Sequence, residues 1–152
     1  MRGAAFVLVA LALALPACGR KARPVPPELV RPDPPENLSA IVTPDGVRLT
    51  WLRPLRYSGG GRMNDLGGFA IERAPGEGGP PEFRKVGTVT VADQDRFRKE
   101  RRIEWVDKDV RPGERYLYRV IAVTLDHYKS PAAGPVSVRF GPGPSAPPAA
   151  PQ

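Results

Sequence analysis

Between residues 38 and 140 the apolar side chains come in short runs spaced two apart, and none of these runs has the three-to-four spacing of an amphipathic helix. Successive side chains of a strand point to opposite faces, so each run is a strip with one buried face. Leu38, Ala40 and Val42 make the first strip. Val47, Leu49 and Trp51 make the second, alternating with Arg48 and Thr50. Phe69 and Ile71 alternate with Ala70 and Glu72. Residues 86–91, Val-Gly-Thr-Val-Thr-Val, are mostly β-branched, which suits a pleated, half-buried surface. Ile103 and Trp105 alternate with Arg102 and Glu104. Tyr116, Tyr118, Val120 and Ala122 line one face of a long strand, and Val136, Val138 and Phe140 close the set. Pro44-Asp45-Gly46 and Pro112-Gly113 supply turns, since proline presets φ and glycine reaches positive φ. Seven strands with tight turns predict an all-β fold, a seven-stranded antiparallel β-sandwich.

The ends of the chain are built differently. Most of the 20 prolines crowd into residues 24–35 and 142–151. Repeated proline removes backbone donors and fixes φ, so residues 19–35 are expected as an extended polyproline II stalk. At ~3.1 Å per residue such a stalk reaches up to ~50 Å. Residues 141–152, Gly-Pro-Gly-Pro-Ser-Ala-Pro-Pro-Ala-Ala-Pro-Gln, are low in complexity and are expected as a disordered tail.

The first eighteen residues carry an address. Arg2 precedes an apolar run over residues 4–15, too short for a membrane-spanning helix of ~20 residues but suited to a signal peptide. Leu15-Pro16-Ala17-Cys18 follows, with the only cysteine of the chain at its end. This resembles the lipobox of bacterial lipoproteins, with Pro16 standing where that family carries a small or β-branched residue. The resemblance implies removal of residues 1–17 and acylation of Cys18 on its sulfur and its new amino group. Each buried CH₂ adds roughly 0.8 kcal/mol, and two or three chains hold a small domain where one does not. With no second cysteine, a disulfide is excluded. The expected domains are 1–17 signal peptide, 18–33 lipidated cysteine and linker, 34–140 sandwich and 141–152 tail. Gly19 rather than aspartate follows the cysteine, which by the enteric sorting rule implies the outer membrane, facing the periplasm.

The sandwich itself resembles a fibronectin type III domain, of immunoglobulin-like fold. Pro34-Pro35 precede Leu38 as prolines precede that family's first strand. Trp51 matches the tryptophan of its second strand, and Leu66-Gly67-Gly68-Phe69-Ala70-Ile71 matches the glycine-led third strand. The run from Trp105 to Thr124, with Pro112-Gly113 before Tyr116-Leu117-Tyr118, is the most specific match. The resemblance implies that Trp51 is a core residue. It also implies that Tyr116 is a tyrosine corner, its hydroxyl bonded to backbone a few residues upstream.

Candidate sites are sparse. The formal charge of +7 permits anionic partners, either lipid headgroups, an anionic polysaccharide or an acidic protein. Export argues against nucleic acid. Residues 92–102 are longer than the fold requires and hold Arg96, Arg98, Lys99, Arg101 and Arg102 around Phe97. Such a cluster either docks phosphate or carboxylate groups through forked hydrogen bonds or is a solvated loop that discourages sheet aggregation. Residues 54–68, with Ser58-Gly59-Gly60-Gly61-Arg62, match no phosphate-binding pattern and are expected as a flexible loop. Leu117, Ile121 and Val123 make the outward face of the long strand apolar, a candidate partner surface. No catalytic residue is assigned, because His127 is the single histidine and adjacent Asp126, His127 and Ser130 cannot aim at one another as a triad does. Asp93, Asp95, Asp107 and Asp109 lack calcium-loop spacing, so no metal or cofactor is expected.

Taken together these features predict a non-enzymatic, monomeric, lipid-anchored envelope module. It is expected to bind an envelope protein or a polysaccharide. The alternatives are a structural spacer, or an accessory subunit of an outer-membrane assembly. The last rests on Cys18-Gly19-Arg20-Lys21, which is similar to the Cys-Gly-x-Lys start of the LptM-type lipoproteins of the lipopolysaccharide translocon. Ala22-Arg23-Pro24 here replaces their following Gly-Pro.

Overall fold

A computed structural model describes residues 24–96 and 101–141. The strands are β1 (Glu36–Thr43), β2 (Gly46–Leu52), β3 (Leu66–Pro75), β4 (Arg84–Thr90), β5 (Arg102–Asp107), β6 (Arg115–Thr124) and β7 (Ala133–Arg139). The helical pieces among the described residues are two single 3-10 turns, Pro27–Leu29 and Asp93–Asp95. One sheet has the order β1-β2-β5 and the other β4-β3-β6-β7. Every neighbouring pair is antiparallel.

The period-two strips become the two inner faces. Val47, Leu49 and Trp51 of β2 meet Phe69 and Ile71 of β3 and Tyr118, Val120 and Ala122 of β6, all almost wholly buried. The Trp51 and Phe69 rings stand edge to face, 5.3 Å between centroids and 69° between planes, the arrangement the ring quadrupoles favour. Val42 belongs to the same alternation but is 40% exposed, because β1 is an edge strand. The seam between the sheets closes where Trp105 of β5 covers Gly87 of β4. Any Cβ at Gly87 would overlap the indole ring, so this glycine makes room for the tryptophan.

Beyond Pro112-Gly113 the chain enters β6, and Tyr116 accepts a hydrogen bond on its hydroxyl from the Arg111 N–H at 3.0 Å. Its ring is half-buried against the core, with the Arg73 guanidinium 5.0 Å above it. Tyr116→Phe keeps the ring and strands only that N–H. It should lower stability by about 1 kcal/mol, read as a shift in the urea midpoint at unchanged slope.

Two segments differ from the sequence expectation. The stalk does not stay free as far as residue 33. Leu29 O accepts from Gly59 N–H (3.2 Å), Arg31 O from Ser58 N–H (2.8 Å), and Asp33 N–H donates to Arg56 O (3.0 Å). Pro32 is fully buried at the centre of this contact. Residues 54–63 are likewise not a loose loop. They form a small hairpin in which Arg56 pairs with Arg62, Tyr57 N–H donates to Gly61 O, and Met63 N–H donates to Leu55 O. Tyr57 donates to Asp65 at 2.6 Å; burial first, and then that hydrogen bond, push its hydroxyl up to about 12. Gly59 lets the strands approach, since a Cβ there would stand 2.9 Å from Leu29 O. Hydrophobic spacing missed both features because backbone pairing, not side-chain burial, makes them.

Candidate functional site

The basic cluster is partly consumed by structure. Arg96 bonds Leu66 O through Nε (3.0 Å) and Asp93 at 2.7 Å, with its side chain mostly buried. Arg101 reaches Arg53 O and pairs with Glu36 at 3.1 Å. Arg53 N–H in turn donates to Arg101 O, and the buried Arg53 guanidinium donates to Asp95 O at 2.6 Å. These arginines clamp the two ends of the β4–β5 connection onto the start of β3 and the end of β2. Arg102 opens β5 opposite Leu52 and is exposed. Arg98 and Lys99, like Cys18, lie outside the described residues. Of the cluster's described members, Arg96 and Arg101 hold the ends of the loop down.

The outer face of the four-stranded sheet is different. Register puts Ala70 of β3 opposite Ile121 of β6 and Thr88 of β4, and Gly68 opposite Val123. Leu117, Ile121 and Val123 are half-buried. Toward the far edge, Arg119 covers part of the face by pairing with Glu72 at 2.6 Å and lying 4.2 Å over the Phe83 ring. The other half stays open. Gly67, Gly68, Ala70, Thr88 and Val123 floor a depression of about 390 Å³, rimmed by Leu125, His127, Lys85 and Lys129. The short side chains keep the floor low, and at Gly68 a Cβ would overlap the backbone carbonyl oxygen of Val89. His127 takes φ +65° in the turn after β6 and is exposed, away from the buried Ser130. The Ser130 hydroxyl accepts from Ala122 N–H (2.9 Å) and donates to Pro131 O (2.7 Å), so it is spent on holding that turn.

The densest polar cluster lies at the opposite end and was not legible as such in the sequence. Asp107, at the end of β5, is buried. Its Oδ2 accepts from Arg73 of β3 and from the Tyr118 hydroxyl of β6, each at 2.8 Å. Its Oδ1 accepts from the Asp109 N–H at 3.0 Å. Arg73 also donates to Asp109 O. Burial works against the Arg73 charge, but the Asp107 carboxylate outweighs it, and the guanidinium is held above its usual range. Burial, then the hydrogen bond to Asp107, push the Tyr118 hydroxyl strongly upward, so it remains a neutral donor. With its oxygens engaged in this way, Asp107 is a strut between the sheets rather than a reactive group. Among the described residues no three histidine, cysteine, aspartate or glutamate side chains converge into a metal cage.

No family model and no curated protein matches the chain. Solved structures do resemble it. The twitchin kinase region from C. elegans is 19% identical at a TM-score of 0.53, over 74% of this chain and 17% of that one. Domains A168-A170 from titin are 22% identical at 0.53, over 74% and 33%. The solution structure of a human FNIII domain is 18% identical at 0.52, over 85% and 92%. The chain thus spans a small part of the first two structures and nearly all of the single domain. At these identities the likeness is one of fold, and the fold is a fibronectin type III-like sandwich of two antiparallel sheets.

Proposed function

We propose that the protein is a non-catalytic binding module, held in a bacterial cell envelope by acyl chains on Cys18. Its partner is an envelope protein that docks on the outer face of the four-stranded sheet. The observation that carries this reading is the open depression beside Val123. It is apolar at its floor, lies on a rigid sheet, and is rimmed by Lys85 and Lys129. An apolar side chain flanked by carboxylates is the partner chemistry that fits, with charge setting orientation and on-rate more than affinity. Outer-membrane placement, facing the periplasm, accompanies this reading. A spacer role has one specific support, the docking of residues 29–33 on the hairpin, which stiffens the base of the domain.

Val123→Glu places a charge on the depression floor without touching the core. Native envelope co-purification followed by mass spectrometry is expected to lose the partner in this variant, while wild type keeps it. Neutralising Arg98, Lys99, Arg101 and Arg102 should leave that partner in place. Equal retention by the Val123→Glu variant would move the reading to the spacer. Retention of glycan in place of protein would move it to an anionic polysaccharide.

A further inference from the structure

Four segments converge on one end of the sandwich. Gly59 N–H donates to Leu29 O, Leu125 N–H to Asp65 O, Val91 N–H to Gly67 O, and Arg53 N–H to Arg101 O. The β2–β3, β4–β5 and β6–β7 connections and the incoming N-terminal segment therefore share that end. The Asp107 strut and the Tyr116 corner lie at the other.

Exposed apolar side chains are concentrated there too. Of the seven large hydrophobic residues that stand well exposed among the described residues, Val25, Leu29, Leu55, Leu125 and Tyr128 belong to this end. Ile41 and Val42 lie along β1. Arg56 and Arg62 sit opposite each other across the hairpin. Like charges placed so destabilise a strand pair, and among the described residues the Arg56 guanidinium is bonded to Gly60 O and to no carboxylate. Arg31 is exposed beside them. Five apolar side chains in water and an opposed arginine pair are both unfavourable in isolation, and both become favourable against an anionic, half-apolar layer.

Chain length says which layer that is. The first backbone bond of the docked segment is made at Pro26 O, eight residues after Cys18, so an extended tether is about 25 Å long at ~3.1 Å per residue. The far end of β6 lies ten residues further along a strand, about 33 Å more at ~3.3 Å per residue. An anchor on Cys18 therefore presents the convergent end to the membrane and holds the other away.

We propose that this end is a bilayer-contact surface, lying on anionic phospholipid headgroups with Leu29, Leu55 and Tyr128 entering the interfacial layer. The proposal rests on the lipid-anchor reading for its geometry. Glu28 and Asp33 temper the local charge, so apolar insertion carries the larger share and the arginines add orientation and salt dependence.

The test uses the full mature chain from residue 18 with Cys18→Ser, so that no acyl chain contributes. Sedimentation with phosphatidylglycerol/phosphatidylethanolamine vesicles should show binding that weakens with salt, and neutral phosphatidylcholine vesicles should bind far less. Leu29→Glu with Leu55→Glu should lower the anionic partition coefficient at least ~10-fold. Arg56→Ala with Arg62→Ala should lower it about tenfold and flatten the salt dependence. Lys108→Ala with Arg111→Ala, at the far end, should change nothing. Tryptophan fluorescence confirms that each variant is folded. Equal binding by all folded variants, or equal binding to neutral vesicles, overturns the proposal. Alkyne fatty-acid labelling of the unsubstituted chain, lost on Cys18→Ser, tests the anchor separately. Labelling without vesicle binding leaves the anchor and removes the surface; vesicle binding without labelling does the reverse.

Discussion

Trp51→Ala is expected to cost about 3–5 kcal/mol, a large share of the ~5–15 kcal/mol that holds a domain of this size together. The indole is fully buried between the sheets and edge-on to Phe69, on the central strand of the smaller sheet. Both neighbouring strands are laddered to β2 along its length, which limits how far the site can collapse to fill the void. One feature separates volume from chemistry. The Trp51 Nε1–H is buried without a hydrogen-bond partner, a group that costs about 1–3 kcal/mol to leave unsatisfied. Trp51→Phe removes that burden along with part of the ring, and should lose only about 1–2 kcal/mol. Urea melts of the two variants check this. A phenylalanine variant as unstable as the alanine variant would mean that the indole nitrogen carries a favourable contact.

Asp107→Ala should be of similar size, about 3–5 kcal/mol, for a different reason. The carboxylate accepts from Arg73, Tyr118 and the Asp109 N–H at once. Removing it strands a buried phenol and a backbone donor and leaves the half-buried guanidinium only its contacts to Asp109. Asp107→Asn keeps one oxygen for Tyr118 but loses the charge and turns a donor toward another donor, so it should fall between wild type and alanine. The tyrosine also gives a pH signature. Its hydroxyl is raised in the folded state relative to the unfolded chain, so the native state binds the proton more tightly. Stability from this group is fully present below the ordinary tyrosine range near pH 10 and declines above it. Thermal melts across pH 8–11 should show that decline in wild type and a weaker one in Asp107→Ala. Identical alkaline slopes would place the titration elsewhere.

How far the chain could be read from its residues follows from which force acts at each position. Burial of apolar side chains leaves a period in sequence, so Val47-Arg48-Leu49-Thr50-Trp51 and Tyr116 through Ala122 declared their strands and inward faces. Pro112-Gly113 declared the turn before Tyr116. Conformational restriction by glycine and proline is local, and it too is visible in one dimension. Hydrogen bonds between distant backbones and ion pairs between sheets carry no such period. Nothing in Leu29-Val30-Arg31-Pro32-Asp33 distinguishes a free polyproline stalk from a segment lying on a hairpin. The partner, residues 56–59, lies some 25 residues away, and Gly59 is one of three identical glycines until Leu29 is seen above it.

Charge was the least legible property. Arg96 and Arg101 belong to one dense run, yet the fold turns Arg96 onto Leu66 O and Arg101 onto Arg53 O and Glu36. Asp107, one aspartate among several, becomes the buried link between Arg73 and Tyr118 because β5 ends where β3 and β6 cross it. By itself the sequence determined the sandwich, its inner faces and its corner tyrosine, since these rest on period, turn chemistry and local spacing. Only the tertiary structure decided which charges are spent inside the domain, which apolar face stays open, and that the exposed leucines and arginines gather where the chain runs toward Cys18, because those outcomes depend on which distant segments the two sheets bring side by side.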